Sequence, residues 1–219
     1  QRPRIMSDLA HHLPGILAAY SILLVGASSP GPAVAMLLGI ATTQGRTQSL
    51  IASFGIATGS MTINVLTMLG IGLLLSEAAW AMATLRIIGS AYLLWLAWGA
   101  FRKAIDPPSV TVAQVTPKPA AVLFWQGYLL QVTNPKAIAF WLAIASIGAV
   151  IGAGPVVVTL FIAGAFLISF AAHGAWSVML STQPFRVAYA RARRWIEAAL
   201  GTFFVFAAFK IATDQAGGR

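Results

Sequence analysis

The chain has 219 residues, 58% of them hydrophobic and 9% charged, with a mean hydropathy of +0.82 and no cysteine. A soluble domain carries about a quarter charged residues, so there is too little polar surface here to cover a globule in water. The composition defines a membrane protein, and the missing cysteines exclude disulfide frameworks, thiolate metal sites and thiol nucleophiles.

The net charge of +9 comes from 14 Lys and Arg against 5 Asp and Glu. In a soluble chain that excess would point to nucleic acid. In an apolar one it reads as basic residues at helix ends that face the cytoplasm, so membrane lipid and no nucleic acid is the expected partner.

A hydrocarbon layer about 30 Å thick needs roughly 20 apolar residues per helix. Six spans are predicted. The first covers residues 13–41 and contains Pro30 and Pro32; its apolar run is longer than that of a cleaved signal and is expected to stay in the mature chain. The second covers 47–75 and the third 79–101. A proline-rich, polar linker over 104–120 follows, with Pro107, Pro108, Pro117 and Pro119. The fourth span covers 121–150 and the fifth 155–181, separated at Gly152-Ala153-Gly154-Pro155. The sixth covers 195–213.

The linker divides one transmembrane domain, residues 1–219, into repeat 1 (about 13–103) and repeat 2 (about 121–213). Arg46, then Arg102, Lys103 and Lys118, then Arg186, Arg191, Arg193 and Arg194 occupy alternate loops, whereas the other two loops hold only Glu77. The positive-inside rule places the basic loops in the cytoplasm and both termini outside, with Arg2 and Arg4 opposing.

Ser28-Ser29-Pro30-Gly31-Pro32-Ala33-Val34-Ala35 in the first span resembles Thr133-Asn134-Pro135-Lys136-Ala137-Ile138-Ala139 in the fourth. In register, Gly59 meets Gly164, and Gly89-Ser90-Ala91-Tyr92 meets Gly201-Thr202-Phe203-Phe204. A unit of three spans has odd parity, so its duplicate sits upside down. The expected fold is an all-α membrane protein of six transmembrane helices, arranged as two inverted three-helix repeats with helices 1 and 4 broken.

Proline has no amide hydrogen and clashes with the preceding turn, so Pro30, Pro32 and Pro135 release backbone groups from their helices. At membrane depth such groups persist only where protein or a wet cavity receives them. Two breaks at matching positions predict one polar cavity near the midplane, although each proline taken alone also fits a packing kink. Lys136 lies mid-span, where a lysine costs about 3 kcal/mol on insertion scales. It either faces the cavity or reaches a carbonyl or the interface.

Gln126, Gln131, Thr133 and Asn134 accompany Lys136 on its helix. Ser53, Ser60, Asn64 and Thr67 form one polar stripe on the second span, and Ser169, His173 and Ser177 another on the fifth. Serine and threonine commonly bond back to their own helix. His173 either exchanges a proton or bridges helices as a neutral ring. Gly55 and Gly59 form a small-xxx-small packing pair. No metal cluster, phosphate loop, dinucleotide fingerprint or catalytic elbow appears, and no cofactor is expected.

Ser29-Pro30-Gly31-Pro32, Gln44-Gly45-Arg46, Gly55-Ile56-Ala57-Thr58-Gly59, Gly89-Ser90-Ala91-Tyr92, Gln126-Gly127, Thr133-Asn134-Pro135-Lys136 with Phe140-Trp141, and Arg194-Trp195 before Gly201 together resemble the lysine exporter (LysE/RhtB) family. The resemblance covers nearly the whole chain in motif order. It implies a six-helix exporter of amino acids or their derivatives in the bacterial inner membrane, driven by the proton motive force, with a homodimer as one state of assembly. Many relatives carry an acidic residue after the second-helix glycines, where this chain has Ser60. Many also continue the fourth helix into a Phe-Pro-Gln-Phe-like segment, where this chain reads Ala145-Ser146-Ile147-Gly148. The missing carboxylate favours a zwitterion or a small neutral or anionic derivative over a cation.

The expected substrate site comprises Pro30, Gly31, Pro32, Ser60, Asn64, Gln131, Asn134, Pro135 and Lys136, with His173 for proton coupling and no catalytic residue. Amides near Gly31 and the Lys136 ammonium would hold a carboxylate; Asn64, Asn134 and freed carbonyls would receive an ammonium. The rival readings are a passive small-solute channel and an intramembrane enzyme on lipid or quinone, with Lys136 and His173 as acid and base.

Overall fold

A computed structural model describes the backbone of residues 2–77, 80–107 and 116–213, and the side chains of residues 5–70, 83–107 and 116–213. Among the described residues there are eight helices and no strand: α1 (Arg2–Ser28), α2 (Pro32–Thr43), α3 (Arg46–Glu77), α4 (Trp80–Ile105), α5 (Ala120–Val132), α6 (Pro135–Ala145), α7 (Pro155–Leu180) and α8 (Gln183–Thr213). Five stretches are long and apolar enough to cross a membrane: Ile5–Ser28, Arg46–Gly70, Ala83–Ile105, Pro155–Leu180 and Gln183–Thr213. Three shorter apolar helices, α2, α5 and α6, complete the set.

Both predicted breaks are present. Residues 13–41 divide between α1 and α2, with Gly31 extended at the N-cap of α2 and Pro32 in its first turn. Residues 121–150 divide between α5 and α6, where the Asn134 side chain accepts from the Lys136 amide at 3.0 Å and Pro135 opens the helix. In each case the proline occupies the one helical turn where its missing N–H costs nothing.

Three boundaries differ from the sequence reading. The first helix begins at Arg2, eleven residues before residue 13. The fourth predicted span ends at Ala145, not at 150, because the chain leaves the helix in turns whose Gly148 and Gly152 take left-handed φ values of 71° and 76°. The last helix begins at Gln183, not at 195. Charge marks where lipid ends, not where a helix ends: the basic turns from Arg186 to Arg194 stay helical because Phe185 and Tyr189 pack on Trp176 of α7, the ring centroids 6.2 and 5.1 Å apart. The linker call falls partly on residues 108–115, which lie outside the described residues.

Side-chain contacts set the helix directions. The Tyr20 hydroxyl donates to Phe161 O at 3.0 Å near the start of α7, and Ser49 Oγ links Leu37 O of α2 to Ser177 near its end. Together α1 and α2 therefore run parallel to α7 over its full height, about 39 Å for 26 helical residues. Phe54 against Phe166 and Phe170, with Ser49 and Ser53 bonded to Ser177, makes α3 antiparallel to α7. Phe101 against Gly201, with Arg194 Nε donating to Ala104 O at 3.1 Å, packs the end of α4 on the middle of α8.

A close backbone approach joins α3 to α5. A Cβ on Gly55 would fall 2.0 Å from Phe124 O, and one on Gly127 would fall 2.2 Å from Ala52 O. The Gly55 packing role read from the sequence is therefore literal, since any side chain would force the two helices apart.

Candidate functional site

Where the breaks meet, a cavity of about 50 Å³ is lined by residues of both, including Ser29, Gly31, Pro32, Asn134 and Lys136, and by Ser60, Gln131, Ser169 and His173. A single water needs about 10–15 Å³ of such space, so it holds a few waters or one compact polar group. A second, wider cavity of about 360 Å³ shares Ser29, Gly31, Pro32, Asn134 and Lys136 with the first, and adds Pro30, Pro135, Tyr92, Lys103 and Glu197. Lys136 thus stands at the junction of a narrow chamber and a broader vestibule.

The Lys136 ammonium donates to Ser29 O at 3.3 Å and to Ser29 Oγ, and lies 5.9 Å from the centre of the Phe140 ring. Cavity and carbonyl, offered as alternatives by the sequence, are both correct. Lys136 is the second residue of α6, where the helix dipole is positive, so its charge opposes the helix instead of capping it. The first turn of α2 opens into the same cavity. Two half-helix N-termini and an ammonium converge on one small space, an arrangement with the chemistry to hold an anionic group.

On the α3 and α7 side, Trp141 Nε1 donates to Ser60 Oγ at 3.0 Å. His173 Nδ1 donates to Ser169 O at 2.8 Å, since a carbonyl can only accept; the neutral ring therefore keeps Nε2 as an acceptor. Ser169 Oγ is buried without a hydrogen-bond partner among the described residues.

The structure brings together Gly31, Pro32, Ser60, Gln131, Asn134, Lys136 and His173 at the narrow cavity, and places Pro30 and Pro135 on the vestibule wall. Asn64 lies outside both linings, one turn beyond Ser60 on α3, fully buried with Oδ1 and Nδ2 unpartnered. Sequence reasoning missed Ser29 and Glu197. Ser29 was visible only as the residue before the first proline. Glu197 is 2% exposed, lines the vestibule with Lys103 and Lys136, and sits 4.0 Å from Arg193 one turn earlier; as the lone acidic residue of its predicted span it carried a signal that was not used.

Broken apolar helices around a cavity that holds the Lys136 ammonium define a multi-pass membrane protein. The chain belongs to the LysE type translocator family, whose pattern matches residues 24–215. It is 25% identical over 194 residues to the threonine efflux protein of Escherichia coli K12, covering 86% of this chain and 92% of that one. It is 33% identical over 131 residues to the cysteine/O-acetylserine efflux protein of Salmonella paratyphi A, covering 58% and 62%. An uncharacterized membrane protein of Escherichia coli K12, YahN, is 25% identical over 135 residues, 62% of this chain and 60% of its own length. No solved structure matches. The apolar helices and the bacterial relatives make the chain a multi-pass protein of the bacterial inner membrane.

Proposed function

We infer that the chain is a secondary exporter of small amino acids or their derivatives, coupled to protons and working by alternating access. The observation that carries this reading is the position of Lys136: an ammonium at the meeting point of two broken helices, bonded to the opposite break at Ser29 and exposed to two chambers.

In this mechanism the substrate carboxylate displaces Ser29 from Lys136 and lies across the N-termini of α2 and α6. Its ammonium is received by Gln131, the Asn134 side chain and the carbonyls released at the breaks. Asn64, with an unpartnered amide one turn along α3, receives the substrate as it moves on. The Nδ1 proton of His173 is committed to Ser169 O, so a coupling proton arrives on Nε2.

The six spans are α1 with α2, α3, α4, then α5 with α6, α7 and α8, as two inverted three-helix units. Supporting this are the antiparallel contacts of α3 with α7 and the packing of α4 on α8. The repeat-matched glycines add to it: Gly59 abuts Tyr128 of α5 and Gly164 abuts Tyr20 of α1, so each receives the first span of the other half. Rocking of the units closes the vestibule, whose Lys103 wall lies on the basic, cytoplasmic side, and opens the opposite end. The relatives named for threonine and for cysteine and O-acetylserine efflux suggest compact, uncharged side chains for this substrate.

The test is counterflow in proteoliposomes. Wild type accumulates labelled threonine against unlabelled threonine; Lys136→Met, monodisperse after purification, does not. Flux that never saturates and shows no counterflow would support the channel reading instead.

A further inference from the structure

In most of this protein the hydroxyls of helical residues bond back to their own helix. Ser21, Thr58, Thr62, Thr67, Thr133, Thr159, Ser181, Thr202 and Thr213 each donate to the carbonyl four residues earlier. Ser169 departs from this habit. It is 1% exposed, its Oγ has no partner, and it lines the midplane cavity. Asn64 and Ser90 are also buried with unpartnered atoms, but neither lines that cavity.

Two neighbours in the lining have capacity to spare. Ser60 Oγ accepts from Trp141, which leaves its own hydrogen to donate. His173 donates through Nδ1, which leaves Nε2 to accept. One donor, one acceptor and one hydroxyl that can do either are complementary to a group that itself donates once and accepts twice. A ligand hydroxyl has this capacity, a thiol has it weakly, and a methyl lacks it altogether.

We propose that Ser60, Ser169 and His173 form a side-chain subsite of the midplane cavity that selects α-amino acids bearing a hydroxyl on the first side-chain carbon. This rests on the exporter reading above and adds the substrate class. With the carboxylate at Lys136, the ligand hydroxyl donates to His173 Nε2 and accepts from Ser60 and Ser169. An isosteric ligand with a methyl in place of the hydroxyl fills the space that water would otherwise take and leaves those groups unsatisfied, and such sites discriminate strongly.

Threonine and valine differ by that one replacement, so their exchange in proteoliposomes is the test. Wild type is expected to favour threonine over valine by at least about 100-fold in kcat/KM. Ser169→Ala should reduce the ratio to about 10-fold or less, chiefly by raising KM for threonine, while Ser169→Thr, which keeps the hydroxyl, should preserve selectivity. Equal exchange of threonine and valine by wild type would overturn the subsite and leave amino-acid export standing. An unchanged ratio in a well-folded Ser169→Ala would do the same. A wild type that exchanges neither threonine, alanine nor valine would overturn the exporter reading and the subsite with it.

Discussion

Lys136 Nζ donates to both the carbonyl and the hydroxyl of Ser29, and so ties the break before α6 to the break before α2. This contact joins the two interrupted spans and occupies the ammonium that the proposed mechanism assigns to a substrate carboxylate. Ser29→Ala removes the hydroxyl half of this tie. The expected result is a loss of about 1 kcal/mol of stability in thermal melts, with a lower KM for exported amino acid because less must be displaced. A raised KM would place Ser29 among the groups that bind substrate.

Removing the ammonium is more severe. A charge-assisted hydrogen bond to a carboxylate contributes about 1.5–3 kcal/mol, so Lys136→Met should lower the affinity for amino acid by about 10–100-fold. Isothermal titration of the purified variant measures this, and Lys136→Arg should recover part of the loss.

The contact between α3 and α5 has no room for a side chain. Gly55→Val puts carbon where Phe124 O now lies, 2.0 Å from the first added atom, and should destabilise by about 1–3 kcal/mol or prevent folding. Gly70→Ala, where an added carbon meets nothing within 4 Å among the described residues, should leave the melting temperature unchanged apart from helix propensity.

Asn64 separates stability from function. Its amide is fully buried with both polar atoms unpartnered, so Asn64→Leu should be neutral or stabilising by about 1 kcal/mol in thermal melts. Its place on the proposed path predicts slower exchange in the same variant. Normal exchange would remove Asn64 from the path.

His173→Gln keeps a hydrogen-bonding side chain at the cavity without a titratable ring. Because His173 also accepts the ligand hydroxyl in the proposed subsite, threonine exchange at equal pH should continue with a raised KM, while uptake driven by an imposed pH gradient should fail. A variant that still responds to the gradient would clear His173 of the coupling role.

Much of the site was legible in the sequence because its elements are violations of local rules. Prolines at 30, 32 and 135 contradict a continuous helix, and Lys136 contradicts a lipid-facing surface; both departures needed a compensating cavity, and it is there. The partner of Lys136 was not legible, because Ser29 comes from a segment 107 residues away and nothing in its own context marks it. Ser169 was readable only as one member of a polar stripe, since the failure of a hydroxyl to bond its own helix is a property of packing. The end of α6 and the start of α8 were misplaced for a shared reason. Hydropathy locates the lipid boundary, whereas helices stop where turns such as those at Gly148 and Gly152 stop them.

The chain contains no cysteine, which permits the most direct test of a wet, substrate-occupied chamber between the two breaks. A single Asn134→Cys substitution, treated in membranes with a small charged methanethiosulfonate, should label readily and should be protected by millimolar threonine. A thiol that stays unlabelled would mean the breaks are dry, and one that labels equally with and without amino acid would mean that substrate does not bind there.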